Sequence, residues 1–88
     1  MNSTLETLEI DGTVFAVDAI ACITPLKPCE GRGTLVFEVD LIGGQTHEFF
    51  TPPRDGVSEK QRLEETRQMY FRAIEQWTKK LDALALQE

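Results

Sequence analysis

Apolar residues along this chain keep two different periods. From Leu8 to Val17, and again from Thr34 to Thr51, they tend to alternate with polar ones, whereas from Leu63 to Leu84 they recur every three or four positions. Alternation puts every second side chain on one side of a pleated strand, and the longer period puts them on one stripe of a helix. The pattern predicts strands over about residues 5–51 and one helix over about residues 58–86.

Asp11-Gly12 stands between two apolar runs. Asp-Gly favours a two-residue hairpin because both central positions take positive φ, which Gly accepts freely and Asp tolerates. With that turn Ile10 faces Thr13, Leu8 faces Phe15 and Glu6 faces Val17, so Leu8, Ile10, Phe15 and Val17 share one side. Asp18 interrupts the run and predicts a bend. Ala19 to Ile23 then reads as a separate short strand with Ile20 and Cys22 inward, and residues 24–33 read as a loop. Pro25, Pro28, Gly31 and Gly33 leave that stretch few ladder donors and much backbone entropy.

Thr34 to Ile42 alternates Leu35, Phe37, Val39 and Leu41 with Val36, Glu38 and Asp40. Gly43-Gly44 offers a second turn, and Gln45 to Thr51 returns. A two-residue turn sets Phe37 opposite Phe50 and Asp40 opposite His47, while a single bulge brings Phe49 inward instead. The register is open by one residue, and a slip of one exchanges the two faces.

Pro52-Pro53-Arg54-Asp55-Gly56 ends the strands, and Ser58 with Gln61 three positions later forms a capping-box signature. Leu63, Tyr70, Ala73, Ile74, Trp77, Leu81 and Leu84 make an apolar stripe, flanked by Met69 and Phe71 on opposite sides. A helix over residues 58–86 is about 43 Å long, but a compact body of this chain length is about 30 Å across. Its end therefore projects, frays or lies against a second chain. The stripe is wider than a small sheet covers, which makes Met69, Phe71, Trp77 and Leu84 candidate interface residues. The plain alternative is that the stripe is all core and the last turn frays.

Eighty-eight residues, 41% hydrophobic and 27% charged, suit one globular α+β domain over residues 1–88, an antiparallel sheet of four or five strands covered by one long amphipathic helix, too small for two cores. The net charge of −6 is uneven: residues 1–56 hold nine acids against three bases, and residues 57–88 hold six of each. Such a chain lacks the basic stripe of a nucleic-acid binder. Met1 to Leu8 has no signal-peptide character, and no run is long and apolar enough to span a bilayer, so a cytoplasmic protein without membrane contact is expected. Cys22 and Cys29 lack the close paired spacing of a zinc or redox motif and read as reduced thiols.

Chemistry-bearing residues are few. His47 is the one histidine, and Glu38 and Asp40 are its candidate partners for proton transfer or a metal. Gly31-Arg32-Gly33 lacks the further glycine of a dinucleotide fingerprint. The expectation is a non-enzymatic protein-binding or assembly module with no cofactor and no metal. It self-associates, as a dimer, through the helix or a sheet edge, or binds one protein partner through its acidic strands. The alternative is a small enzyme or metal-binding protein centred on His47 with Glu38 or Asp40.

Overall fold

The computed structural model of this chain describes residues 6–29 and 34–86. The strand start expected at Leu5 and the Gly31-Arg32-Gly33 segment lie outside those residues. Among the described residues the order is β1 (Thr7–Ile10), β2 (Thr13–Ala16), a 3₁₀ turn (Val17–Ala19), β3 (Ile20–Ile23), β4 (Lys27–Cys29), β5 (Thr34–Leu41), β6 (Thr46–Phe49) and α1 (Glu59–Leu86). Every strand pair among the described residues is antiparallel, and the class is α+β.

β1 and β2 pair in the register that Asp-Gly dictates, with Leu8 opposite Phe15 and Ile10 opposite Thr13. Asp11 has φ 49° and Gly12 φ 84°, the two left-handed conformations of the expected turn. The Val17 N–H donates to the Glu6 carbonyl at 3.0 Å, extending the pair by one rung. Leu8, Ile10, Phe15 and Val17 are all buried. The chain then bends through the 3₁₀ turn at Asp18, which separates β2 from β3.

β5 is the central strand of the second sheet. β3 and β4 succeed one another along one of its edges, and β6 lies on the other. Two irregularities interrupt the first edge. Ile20 is opposite Leu41 but Cys22 is opposite Asp40, so Ala21 is an extra residue. That bulge re-aims the remainder of β3: Ile20 and Ile23 are buried, and Cys22, expected inward, is exposed.

The second irregularity spans Pro25 and Leu26. There the Thr24 N–H donates to the Glu38 carbonyl, and the Thr24 hydroxyl accepts from the Glu38 N–H, both at 2.8 Å. The side chain thus supplies an acceptor where the ladder is broken. Beyond it Lys27, Pro28 and Cys29 pair with Val36, Leu35 and Thr34, so part of the expected loop is strand. Pro28 is accommodated because an edge position can dispense with a donor.

Between β5 and β6 the loop holds three residues, Ile42, Gly43 and Gly44. The Leu41 N–H donates to the Gln45 carbonyl at 2.8 Å and the Gly44 N–H to the Leu41 carbonyl at 3.1 Å. Gly43 and Gly44, at φ 110° and 98°, take conformations that side chains rarely allow. The pairing is the bulged one of the two registers: Phe37 opposite Phe49, Val39 opposite His47 and Asp40 opposite Thr46. Phe49 is buried and stacks on Phe37 with ring centroids 5.4 Å apart.

α1 begins at the expected box. Gln61 N–H donates to the Ser58 hydroxyl at 3.1 Å, and the Gln61 side-chain oxygen accepts from Ser58 N–H at 3.3 Å. The 28-residue helix is about 42 Å long. It does not overshoot a round body. The body is drawn out along it, measuring 49 × 24 × 18 Å with a radius of gyration of 14.7 Å, against about 12 Å for a compact chain of this length. Thr66 meets Thr51 near one end, Tyr70 sets its ring edge on Phe37 at 5.4 Å, and the Lys80 ammonium donates to the Thr7 carbonyl. The helix therefore spans both sheets.

Candidate functional site

The side of α1 pressed onto the strands holds Met69, Tyr70, Ala73, Ile74, Trp77 and Leu84 together with polar residues. Its buried residues are Arg62, Thr66 and Ala73 at 9%, 0% and 3% exposure. Small side chains at 66 and 73 let the helix backbone approach closely, and Thr66 is held there by a chain of hydroxyls. Thr66 donates to the Arg62 carbonyl at 3.1 Å, so the 2.8 Å bond between the two hydroxyls has Thr51 as its donor. The Arg62 Nη1 atom, though buried, has no hydrogen-bond partner among the described residues.

The larger apolar side chains flank that seated line, and Met69, Tyr70, Ile74, Trp77 and Leu84 pack on the core cluster with it. Leu63, Tyr70, Trp77 and Leu84 form a half-buried column, and beyond it Ile74 is half-buried, Leu81 is 39% exposed and Phe71 is 56% exposed. Positions 63, 67, 70, 74, 77, 81 and 84 are separated alternately by four and three residues, the spacing of a helix-to-helix seam. Arg67 is its one charged member. At about 100° per residue, a sector about 140° wide from Tyr70 to Ala85 carries no charged residue. Arg72, Glu75, Lys79 and Asp82 fall on the far side, and Lys80 turns inward to Thr7.

Of the four interface residues expected from the sequence, only Phe71 is exposed. Met69, Trp77 and Leu84 are half-buried and rest on the core cluster, and Met69 lies about 160° around the helix from Phe71. The four do not make one patch. Ile74, Thr78, Leu81 and Ala85 complete the outward sector with Phe71, and the four-three alternation in the sequence is the signal that identifies two of them.

His47, Glu38 and Asp40 are not brought together. The observed register puts exposed His47 opposite Val39, on the core side of the sheet, where its ring lies edge-on to Phe15 at 5.2 Å. Glu38 and Asp40 point to the other side. Asp40 instead accepts from the Thr46 hydroxyl at 3.0 Å and the Cys22 thiol at 3.3 Å. That bond, slight burial and the carboxylate charge push the Cys22 thiol above its ordinary pKa. Cys22 and Cys29 are both free. Among the described residues no three His, Cys, Asp or Glu side chains gather as a metal would require.

A cleft of about 560 Å³ opens between α1 and the segment after β6, with Phe50, Pro52 and Met69 as its apolar part. Arg54 spans it to Glu65 through two hydrogen bonds of 2.8 and 2.7 Å, which neutralises two of its charges. Arg72 stands at the same cleft. No described helix is long and apolar enough to cross a membrane. The chain has no significant match to a protein-family model, a curated protein or a solved structure.

Proposed function

We propose that this chain is a non-enzymatic assembly module of the cytoplasm whose working surface is the outward sector of α1. One observation carries the reading: Phe71 and Leu81 are exposed on the flank of α1, beside Tyr70 and Ile74, which are half-buried against the core. Burial of apolar area drives association at about 25 cal/mol per Å², and a contiguous uncharged strip beside the core offers such area without desolvating a charge. Self-association is the form of assembly that suits a domain of this size, because a second chain shelters surface that one small core leaves wet.

The test is mass in solution. Sedimentation or light scattering across a concentration series is expected to give more than one chain per particle, and Phe71→Glu or Leu81→Glu is expected to lower that mass while the circular dichroism spectrum stays unchanged. A parent protein that stays monomeric at high concentration overturns the reading. The register that sets Glu38 and Asp40 on the other side of the sheet from His47 weighs against the rival centred on that residue.

A further inference from the structure

We infer that the cleft between α1 and the segment after β6 is a binding site for a small organic cation, an amine whose hydrocarbon body rests on Phe50, Pro52 and Met69 and whose charged head is drawn by Asp11 and Glu64. This goes beyond the assembly reading and does not depend on it. Arg72 at the cleft and Leu81 in the exposed sector are nine residues apart, which sets them about 180° apart around the helix.

The cleft has two walls and an end. One wall is α1 from Glu64 to Arg72, and the other is the chain from Phe50 to Arg54. Asp11, at the tip of the first hairpin, lines both the cleft and a smaller hollow with Arg72 and Ala73, so the tip stands at the end nearer residue 72. The space of about 560 Å³ falls within the range of about 300–1,000 Å³ usual for small-molecule sites. Its walls are tied together before any ligand arrives, because the Thr51 hydroxyl bonds to that of Thr66 at 2.8 Å and Arg54 bonds to Glu65. A site already in shape costs a ligand little ordering. With the hairpin tip across one end, the occupant is a free small molecule and not a peptide running through.

Charge selects its class. Asp11, Glu64 and Glu65 line the cleft against Arg54 and Arg72. Arg54 and Glu65 neutralise each other, and Arg72 shares the smaller hollow with both Glu9 and Asp11. The remainder is acidic, as is the chain as a whole at −6. An anion would have to draw Arg54 off Glu65, and a neutral molecule gains nothing from the excess carboxylates. A cation is attracted with every existing bond intact. The Phe50 ring and the Met69 thioether are also suited to the apolar part of such an ion.

The test is amide NMR of isotope-labelled protein titrated with phenethylamine, and with phenylpropionate and phenylethanol as its anionic and neutral counterparts. Phenethylamine is expected to shift the amides of Phe50, Thr51, Gln68, Met69 and Arg72 along one saturable curve, with phenylpropionate about tenfold weaker. Asp11→Asn with Glu64→Gln, both exposed positions, should weaken phenethylamine about fivefold and leave phenylethanol unchanged. Asn tolerates the left-handed turn position as Asp does. Added salt should weaken the amine alone in the parent protein, a reading that needs no variant. Equal binding of the three compounds, or amine binding indifferent to salt and to the two substitutions, overturns the charge selection. A capped lysine amide that binds as tightly as phenethylamine overturns the free small molecule as occupant. Shifts that never saturate, or that centre on other residues, overturn the site; none of these results alters the mass in solution on which the assembly reading stands.

Discussion

Replacing Thr51 and Thr66 with valine, singly and together, tests the hydroxyl chain that fixes how α1 is rolled on the strands. Valine matches threonine in shape, so cavity effects drop out and the hydrogen bonds remain. Both residues are buried. Thr66→Val leaves the Thr51 proton with no acceptor in a dry site, and an unsatisfied buried donor costs about 1–3 kcal/mol. Thr51→Val leaves the Thr66 oxygen with a vacant lone pair but spares its bond to the Arg62 carbonyl, so its cost is smaller, about 1 kcal/mol. The double variant orphans neither hydroxyl and is expected to be no worse than Thr66→Val alone. The coupling is then about 1 kcal/mol in favour of the pair. Urea unfolding at one fixed protein concentration measures it, with thermal melting as a check at about 4–8 °C per kcal/mol for a domain of this size. Single effects that add to within about 0.5 kcal/mol refute the hydroxyl chain and, with it, the account of why the helix seats its small residues inward.

Three further outcomes rest on local geometry. Gly12→Ala should cost about 1 kcal/mol by thermal unfolding; no atom lies within 4 Å of the added carbon, so the loss comes from φ 84° alone. Ser58→Ala should cost about 1 kcal/mol and lower helix content near residue 59, read by amide exchange of the first turn. Asp40→Asn should lower the Cys22 pKa, because the carboxylate that holds the proton on sulfur is gone; iodoacetamide should then modify Cys22 faster near pH 8 while Cys29 is unchanged, and an unaltered rate would contradict the Cys22–Asp40 bond.

Features encoded by a few adjacent residues were legible in the sequence. Asp11-Gly12 specifies both the turn and the register of β1 with β2, because few other dipeptides take positive φ twice. Ser58 and Gln61 mark the helix start for an equally local reason. Features set by distant partners were not. Nothing near Ala21 announces that it is a bulge, yet that one residue sends Cys22 outward. Lys27-Pro28-Cys29 looks like loop until β5 supplies a partner whose pairing needs no donor from Pro28. Ile42 joins the two glycines in the turn, and the resulting slip of one residue carried His47 to the opposite side from Asp40. For the helix, periodicity gave the stripe but not its rotation: Thr51, arriving from the far end of β6, decides which edge of the stripe is pressed inward.

The bond from Lys80 to the carbonyl of Thr7 joins positions 73 residues apart in sequence. During synthesis the first hairpin emerges long before its cover does, and an isolated two-stranded hairpin is at best marginally stable in water. At a ribosomal pace of about 5–20 residues per second, Leu8, Ile10, Phe15 and Val17 wait several seconds for α1. Truncating translation before Lys80 should leave a nascent chain whose amino-terminal strands are open to protease and to chaperones.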